Sequence, residues 1–147
     1  MGVYSEELVD SMAQVLSNLG VKRAMVVHGE DGVDEVSICG KTKVCEVREG
    51  KLKSYTIDPE ELGLSIANPE DIKGGLAEEN KDIALSILKG EKGAKRNMVL
   101  INSAVALYTA LEDKTLKECV QMAADLIDSG KALAKMQEFV EATQKYA

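Results

Sequence analysis

Two adjacent carboxylates stand out among the residues whose types and spacing could support chemistry. Asp34 and Glu35 lie in a polar, glycine-containing turn that follows the short apolar run of residues 24–27. In open α/β sheets, ligands bind where the strands end, and magnesium is usually held by one or two carboxylates together with waters and substrate phosphates. The pair therefore suits a metal–diphosphate site. A solvated acidic loop is the alternative, and composition alone favours it because the formal charge is −7.

Other chemically capable groups give weaker signals. His28, the only histidine, could act as a general acid or base, but its place directly after an apolar run equally favours a structural hydrogen bond. Residues 73–75, Lys-Gly-Gly, precede a predicted helix and could bind an anion there, yet a plain turn is favoured because no complete phosphate-binding motif is present. The cysteines, Cys39, Cys45 and Cys119, form no C-x-x-C pair, which favours reduced packing thiols over a zinc site or disulfides.

Composition is typical of a globular protein. The chain has 147 residues, of which 45% are hydrophobic and 29% charged, and only 3% are aromatic, so aliphatic side chains must build the core. The negative charge argues against nonspecific binding to nucleic acid. No apolar run approaches the ~20 residues needed to cross a bilayer, and residues 1–6 lack a signal-peptide core. These features predict a cytoplasmic protein that binds neither nucleic acid nor membrane.

A helix, a buried strand and a pair of strands are predicted in the first half of the chain. Ser5 is expected to cap the helix, and its apolar residues recur at helical spacing: Leu8, Met12, Val15, Leu16 and Leu19. Residues 24–27 are typical of a buried strand. Imperfect alternation over residues 43–48 and 52–57, on either side of a Glu-Gly-Lys turn, predicts a hairpin or two separate strands.

The second half is predicted to be helical from residue 77 onward. Before it, Asp-Pro and Asn-Pro at residues 58–59 and 68–69 favour two short helical turns. Residues 98–111 are apolar almost all round, so this helix is expected to be the most buried. Three other amphipathic faces are formed by Ile83, Ala84, Ile87 and Leu88; by Leu116, Val120, Ala123, Ala124 and Ile127; and by Leu133, Met136, Phe139 and Val140.

This order of elements predicts an α/β fold with a partial mixed sheet of about three strands packed with several helices. We expect a single domain over residues 1–147. Three strands are few for at least five helices, which suggests that part of the sheet is missing. An open edge of such a sheet can pair with another chain, so self-association through that edge is expected.

Several segments resemble, in order, members of the anthranilate phosphoribosyltransferase family. Residues 26–35, Val-Val-His-Gly-Glu-Asp-Gly-Val-Asp-Glu, resemble the family segment that ends in its metal-binding Asp-Glu pair. The other matching segments are residues 2–8, 55–60, 74–80 and 128–133. The Gly-Lys-Ala at residues 130–132 is shared with pyrimidine nucleoside phosphorylases and is less specific. The resemblance covers essentially the whole chain.

The resemblance implies the C-terminal part of the nucleoside phosphorylase/phosphoribosyltransferase α/β domain. The family transfers the phosphoribosyl group of phosphoribosyl pyrophosphate to anthranilate in tryptophan biosynthesis, so Asp34 and Glu35 are expected to bind Mg²⁺ and thereby neutralise the leaving diphosphate. Nothing here matches the family's glycine-rich loop, its Lys-His-Gly-Asn segment, its anthranilate-binding arginine or its N-terminal helical domain. The chain alone is therefore expected to be inactive, and no catalytic or substrate-binding residue is assigned.

Two other functions stay open on the sequence. One is a pyrimidine nucleoside phosphorylase-like fragment, an enzyme with a different substrate, which the context of Asp34 and Glu35 disfavours. The other is a non-catalytic binding or assembly module, such as one polypeptide of a split enzyme. Mixing the chain with an upstream fragment and testing for restored activity distinguishes these functions.

Overall fold

A three-stranded antiparallel sheet forms the centre of the structure. The computed structural model describes residues 1–146, so the last residue of the predicted domain lies outside the described part. The strands are β1 (Arg23–Gly29), β2 (Thr42–Arg48) and β3 (Lys51–Ile57), in the order β1-β2-β3. The predicted strand and hairpin are confirmed. The sheet was predicted to be mixed. Within residues 1–146 its strands pair only antiparallel, and the one parallel pairing is an isolated bridge between Gly2 and Val27.

The hairpin between β2 and β3 has a two-residue turn. Glu49 and Gly50 both adopt positive φ, 48° and 76°, which is the backbone of a primed turn. Such turns match the right-handed twist of the flanking strands, and this explains why the two strands pair in register, with Arg48 opposite Lys51. The sequence signal for this turn was the Glu-Gly-Lys between two alternating segments.

Residues 1–146 contain five helices, as the apolar periodicity predicts. They are α1 (Leu8–Asn18), α2 (Ala77–Leu88), α3 (Ala94–Ala110), α4 (Leu116–Asp128) and α5 (Lys131–Gln144). The two predicted proline turns are 3-10 helices at Glu60–Leu62 and Pro69–Ile72.

The predicted start of α1 is wrong. The Ser5 side chain does not cap α1; instead its carbonyl accepts a hydrogen bond from the Leu8 N–H at 3.1 Å, and the cap position is Glu7, which makes no side-chain cap bond. The predicted apolar face is confirmed in part, because Leu8, Met12 and Leu16 pack against the cluster between α1 and the sheet. Val9 and Ala13 are fully buried against the sheet, whereas Leu19 is 75% exposed. Small side chains lie nearest the strands because they let the helix approach closely.

The sheet separates two hydrophobic clusters because its side chains alternate between faces. On one face, Val26, Cys45 and Val47 pack with Val9 and Ala13 of α1. The opposite face packs against α3 and α4 and forms the larger cluster, whose core includes Met25, Val27, Val44, Ile57, Leu100, Ile101, Ala104, Cys119, Val120, Ala123 and Ile127. The protein is therefore layered as helix, sheet and helices.

The expectation that α3 is buried on nearly every face is wrong. Its buried residues are Arg96, Leu100, Ile101 and Ala104, and Val99 is 38% exposed. The shorter α4 buries as many, so α3 is not the most buried helix. Within residues 1–146, α5 buries none of its residues and leaves Phe139 68% exposed. None of the helices described in residues 1–146 has the length and apolarity needed to span a membrane.

Candidate metal centre

The chain turns sharply as soon as β1 ends, and this turn carries the acidic pair. The Gly29 N–H donates to the Val33 carbonyl at 2.9 Å, and the Gly32 N–H donates to the Gly29 carbonyl at 2.8 Å. A Cβ at Gly29 would lie 2.6 Å from Oδ1 of Asp31 and 2.7 Å from Cγ2 of Val33. Any larger residue would therefore force the side chains of Asp31 and Val33 to shift.

A buried serine holds the second half of the loop. The Ser37 hydroxyl donates to Asp31 at 2.8 Å and accepts from the Cys39 N–H at 2.9 Å, while the Ser37 N–H donates to the Thr42 hydroxyl at 2.9 Å. Ser37 and Thr42 have no exposed surface. Asp31 therefore has a structural role, because its carboxylate joins the two halves of the loop.

Asp34 and Glu35 lie at the apex of this loop, and both are exposed. Within residues 1–146, neither side chain takes part in a hydrogen bond or an ion pair, so both carboxylates are open to an external ligand. Val36, the next residue, is 1% exposed. The backbone thus passes from solvent into the core directly after the pair. The buried Val36 therefore anchors the backbone that carries the two carboxylates.

The N-terminal segment lies along one side of the loop. Met1–Val3 runs parallel to β1, the Val3 N–H donates to the Val27 carbonyl at 3.0 Å, and Nδ1 of His28 lies 2.9 Å from the Val3 carbonyl oxygen. A Cβ at Gly2 would lie 1.5 Å from the Asp34 carbonyl oxygen. His28 is therefore involved in a structural hydrogen bond, the alternative that the sequence left open.

Helix α3 holds the other side of the loop through Asn102. Oδ1 of Asn102 accepts from the Val36 N–H at 2.9 Å, and Nδ2 donates to the Val36 carbonyl at 2.9 Å. Nδ2 also donates to the Met98 carbonyl, one helical turn back, at 3.0 Å. Sequence reasoning missed this contact. The one available signal was a polar Asn directly after the apolar run of residues 98–101.

The residues present fit a magnesium ion better than a metal held by protein ligands alone. Within residues 1–146 there is no group of three or more His, Cys, Asp or Glu side chains that could hold a metal. A site at Asp34 and Glu35 has two carboxylates and must take its other ligands from water or a bound substrate. This is the usual arrangement for Mg²⁺, which is held by one or two carboxylates plus phosphates and waters.

The Lys-Gly-Gly segment is a turn in the structure. The Gly75 N–H donates to Oδ1 of Asn80 at 2.9 Å, and Nδ2 of Asn80 donates to the Gly75 carbonyl at 2.9 Å. Lys73 pairs with Glu70 at 2.8 Å. Both the amide and the ammonium group are therefore engaged locally, which agrees with the plain turn that the sequence favoured.

The cysteines show no sign of activation. Burial raises the pKa of the Cys39, Cys45 and Cys119 thiols above the ordinary value, with nearby carboxylates as lesser causes. A raised pKa leaves the unreactive thiol form dominant at neutral pH. These side chains belong to the two hydrophobic clusters or pack against them, as expected for packing residues.

A second polar cluster lies on the α3 side of the sheet. Glu46 is 8% exposed, and it accepts hydrogen bonds from the Tyr55 and Tyr108 hydroxyls at 3.3 Å each. Arg23 donates to the Tyr108 carbonyl at 2.7 Å and stacks over the Tyr108 ring. The cluster links all three strands to the C-terminal half of α3, and no sequence pattern indicated it.

Comparisons with known proteins bear on this fold. A family model described as "Glycosyl transferase family, a/b domain" matches residues 1–133. The chain is 52% identical over 145 residues to the anthranilate phosphoribosyltransferase of Endomicrobium trichonymphae, covering 99% of this chain and 43% of the relative. The chain thus spans less than half the length of the curated relatives it matches.

Solved structures agree with the sequence comparison. The anthranilate phosphoribosyltransferase of Thermus thermophilus matches with a TM-score of 0.86 and 40% identity, over 95% of this chain and 41% of that one. The Saccharomyces cerevisiae enzyme in complex with PRPP and Mg matches with a TM-score of 0.87 and 26% identity, over 98% of this chain and 42% of that one. The layered α/β arrangement is therefore the fold of the corresponding part of these enzymes.

Proposed function

We propose a function for this chain from one premise, that it belongs to the glycosyl transferase family, a/b domain. As one domain of a longer enzyme, it takes part in the transfer of the phosphoribosyl group from phosphoribosyl pyrophosphate to anthranilate, a step of tryptophan biosynthesis. The names and identities of its relatives support this substrate pair. The chain covers 43% of the length of its Endomicrobium trichonymphae relative, which fits a chain that supplies only part of an enzyme.

Asp34 and Glu35 are, in this proposal, the ligands of a catalytic Mg²⁺. The observation that carries it is the pair of exposed, unengaged carboxylates on a loop that is held rigidly at the end of β1. A bound Mg²⁺ would neutralise negative charge on the leaving diphosphate. The related yeast enzyme has been solved with PRPP and Mg, which supports the choice of metal. A cytoplasmic location belongs to the same proposal.

The residues of this chain orient the metal ligands and do not by themselves form the sites for the two substrates. Transfer requires that both substrates be positioned and that charge on the leaving group be stabilised. Asp34 and Glu35 provide two carboxylates for the second requirement only. We therefore expect the purified chain to show no turnover with anthranilate, phosphoribosyl pyrophosphate and magnesium.

The experiment uses a completed enzyme, in which the upstream portion of the Endomicrobium trichonymphae relative is fused before Met1. Asp34→Asn and Glu35→Gln remove one carboxylate each, so the Mg²⁺ concentration for half-maximal activity should rise about 10-fold or more. Glu30→Gln is the matched control, because Glu30 is exposed in the same loop and the proposal gives it no ligand role. Activity is followed across a Mg²⁺ titration for all four proteins.

Two results would contradict the proposal. If Asp34→Asn and Glu35→Gln leave the Mg²⁺ titration unchanged, the acidic pair is only a solvated loop. If the completed enzyme cleaves pyrimidine nucleosides with inorganic phosphate and does not consume anthranilate, the substrate assignment fails and the nucleoside phosphorylase alternative takes its place.

A further inference from the structure

In the part of the chain that the structure describes, the side chains of Asp34 and Glu35 make no hydrogen bond or ion pair, so the backbone on either side must position them. Before the pair, the turn is held by the Gly29–Val33 hydrogen bond and by the close approach of Gly2 to the Asp34 carbonyl. After the pair, the next backbone unit is that of Val36. What holds Val36 therefore fixes the backbone from which the Glu35 side chain extends.

Val36 is held by a side chain and not by a neighbouring strand. Its N–H and C=O both pair with the Asn102 amide, each at 2.9 Å. This pair of bonds has the donor–acceptor pattern that an adjacent strand would provide. Because Val36 is 1% exposed, loss of the amide would remove the partner of two buried backbone groups, which is costly.

The Asn102 side chain is itself oriented. Its Nδ2 group donates a second hydrogen bond to the Met98 carbonyl within α3 at 3.0 Å, so the amide plane is held on both sides. Asn102 follows Leu100 and Ile101, which are 5% and 0% exposed in the main core. The Asn102 amide, which clamps the Val36 backbone, therefore extends from a part of α3 that is buried in the main core.

The chemistry of this contact demands an amide of this length. Only a side-chain amide offers a donor and an acceptor side by side. An aspartate would place a second acceptor opposite the Val36 carbonyl, and a glutamine would displace the amide by one methylene. A merely space-filling role would not require either property.

We propose that Asn102 is the positioning residue of the metal site, setting the direction of Glu35 and Asp34 by clamping the Val36 backbone. This inference rests on the proposed magnesium role of the acidic pair. Asn102 lies 66 positions from Val36 in the sequence. In this inference it acts like the residues that orient metal ligands without touching the metal, whose loss typically costs about 10–100-fold in metal affinity or activity.

The test compares Asn102→Asp and Asn102→Ala with Asn97→Asp in the completed enzyme. Asn97 lies on the same helix and is half-buried, and its change to Asp is chemically identical to the one at Asn102 but away from Val36. Direct metal binding is measured by electron paramagnetic resonance of Mn²⁺ in the presence of phosphoribosyl pyrophosphate. The Mg²⁺ dependence of activity is measured in parallel, and circular dichroism identifies the folded fraction.

We expect both Asn102 variants to weaken Mn²⁺ binding and raise the Mg²⁺ requirement about 10–100-fold, with a smaller loss of turnover at saturating Mg²⁺. Asn97→Asp should leave both measurements near those of the parent protein. In the chain itself, hydrogen exchange of the Val36 amide should become faster in Asn102→Ala, because that amide loses its acceptor.

The outcomes separate this inference from the function on which it rests. If Asp34→Asn loses Mn²⁺ while the folded Asn102 variants bind it like the parent, the positioning role is overturned and the metal site stands. If Asp34→Asn also binds like the parent, the metal site itself is overturned. If neither Asn102 variant folds, Asn102 serves folding and the positioning role is overturned.

Discussion

Glu46 is a buried carboxylate whose partners are phenols. Two tyrosine hydroxyls donate to it, and its exposed fraction is 8%. Burial of a charge is tolerated only when hydrogen bonds replace water, and the two phenols do this while they keep their protons. The cluster therefore makes the stability of this sheet sensitive to the protonation of its tyrosines.

Tyr55 predicts how stability changes in alkaline solution. Burial first, and the Glu46 carboxylate second, raise the pKa of Tyr55 well above the ordinary value of 10.0. Above pH 10 the unfolded chain releases this proton while the folded chain keeps it, so the free energy of unfolding should fall as pH rises. Below the ordinary value the contribution is fully present.

Urea unfolding at a series of pH values around and above 10.0, the ordinary value for tyrosine, measures this effect. Tyr55→Phe cannot titrate, so its stability should fall less steeply with pH than that of the parent. Tyr4→Phe is the control, because Tyr4 is 80% exposed. If the free energy of unfolding falls equally steeply with pH in all three proteins, the pKa of Tyr55 is the same in the folded and unfolded chains.

The metal-site residues illustrate what single positions reveal in a sequence. Asp34 and Glu35 were predicted because adjacent carboxylates after an apolar run have a direct chemical meaning, and their metal role stays a prediction. Asn102 could not be paired with Val36 in the same way. The contact joins residues 66 positions apart, and its existence depends on how α3 lies across the sheet, which no local pattern specifies.

Among the elements, strands were easier to predict than helix faces. The run at residues 24–27 and the alternation on either side of Glu49–Gly50 correspond directly to β1, β2 and β3. For α3, periodicity located the helix but not its buried side. For α1, it identified residues that pack against the cluster but not the fully buried Val9 and Ala13. Burial depends on which neighbour each face meets, and a helix that is apolar all round gives no preference between its faces.

Helix α3 yields a prediction about relative stability. Ile101 has no exposed surface and lies in the main core, whereas Leu107 is only half-buried and packs at its margin. Ile101→Ala should therefore lower the free energy of unfolding by about 2–5 kcal/mol, and Leu107→Ala should cost less because water already reaches part of its surface.

Chemical denaturation of the two variants and the parent, with an unchanged slope against denaturant, measures this difference. Val99→Ala serves as the control on the exposed side of α3, since Val99 is 38% exposed. A larger loss for Leu107→Ala than for Ile101→Ala would show that another part of the protein covers the side of α3 that is open in this structure.

At the scale of the whole molecule, the two sheet edges differ. On the β1 edge, backbone groups of Met25, Val27 and Gly29 are already paired with Met1, Val3 and Val33. The β3 edge is exposed over residues 51–54. Self-association by strand pairing, which the sequence led us to expect, stays a prediction. If it occurs, we expect it at β3 because that edge is the exposed one.

Light scattering over a concentration series tests the β3 edge. Leu52 lies on β3 and is 37% exposed, so Leu52→Lys adds a charge that opposes pairing of edge strands and should lower the associated fraction. Leu126→Lys, at a position 40% exposed on α4, controls for lost surface hydrophobicity. A parent chain that stays monomeric at high concentration would rule out pairing at this edge.

The Asn102 clamp has a consequence for chemical ageing. Asparagine loses its amide when the backbone nitrogen of the following residue, here Ser103, attacks the side chain and closes a ring. Within α3 that nitrogen is held in the helix and the amide is held by Val36 and Met98, so the attack geometry is unreachable while the helix is intact. While α3 is open, Asn102 can be converted into aspartate and isoaspartate, and the fraction converted in stored protein thus reports the share of time that this helix spends unfolded.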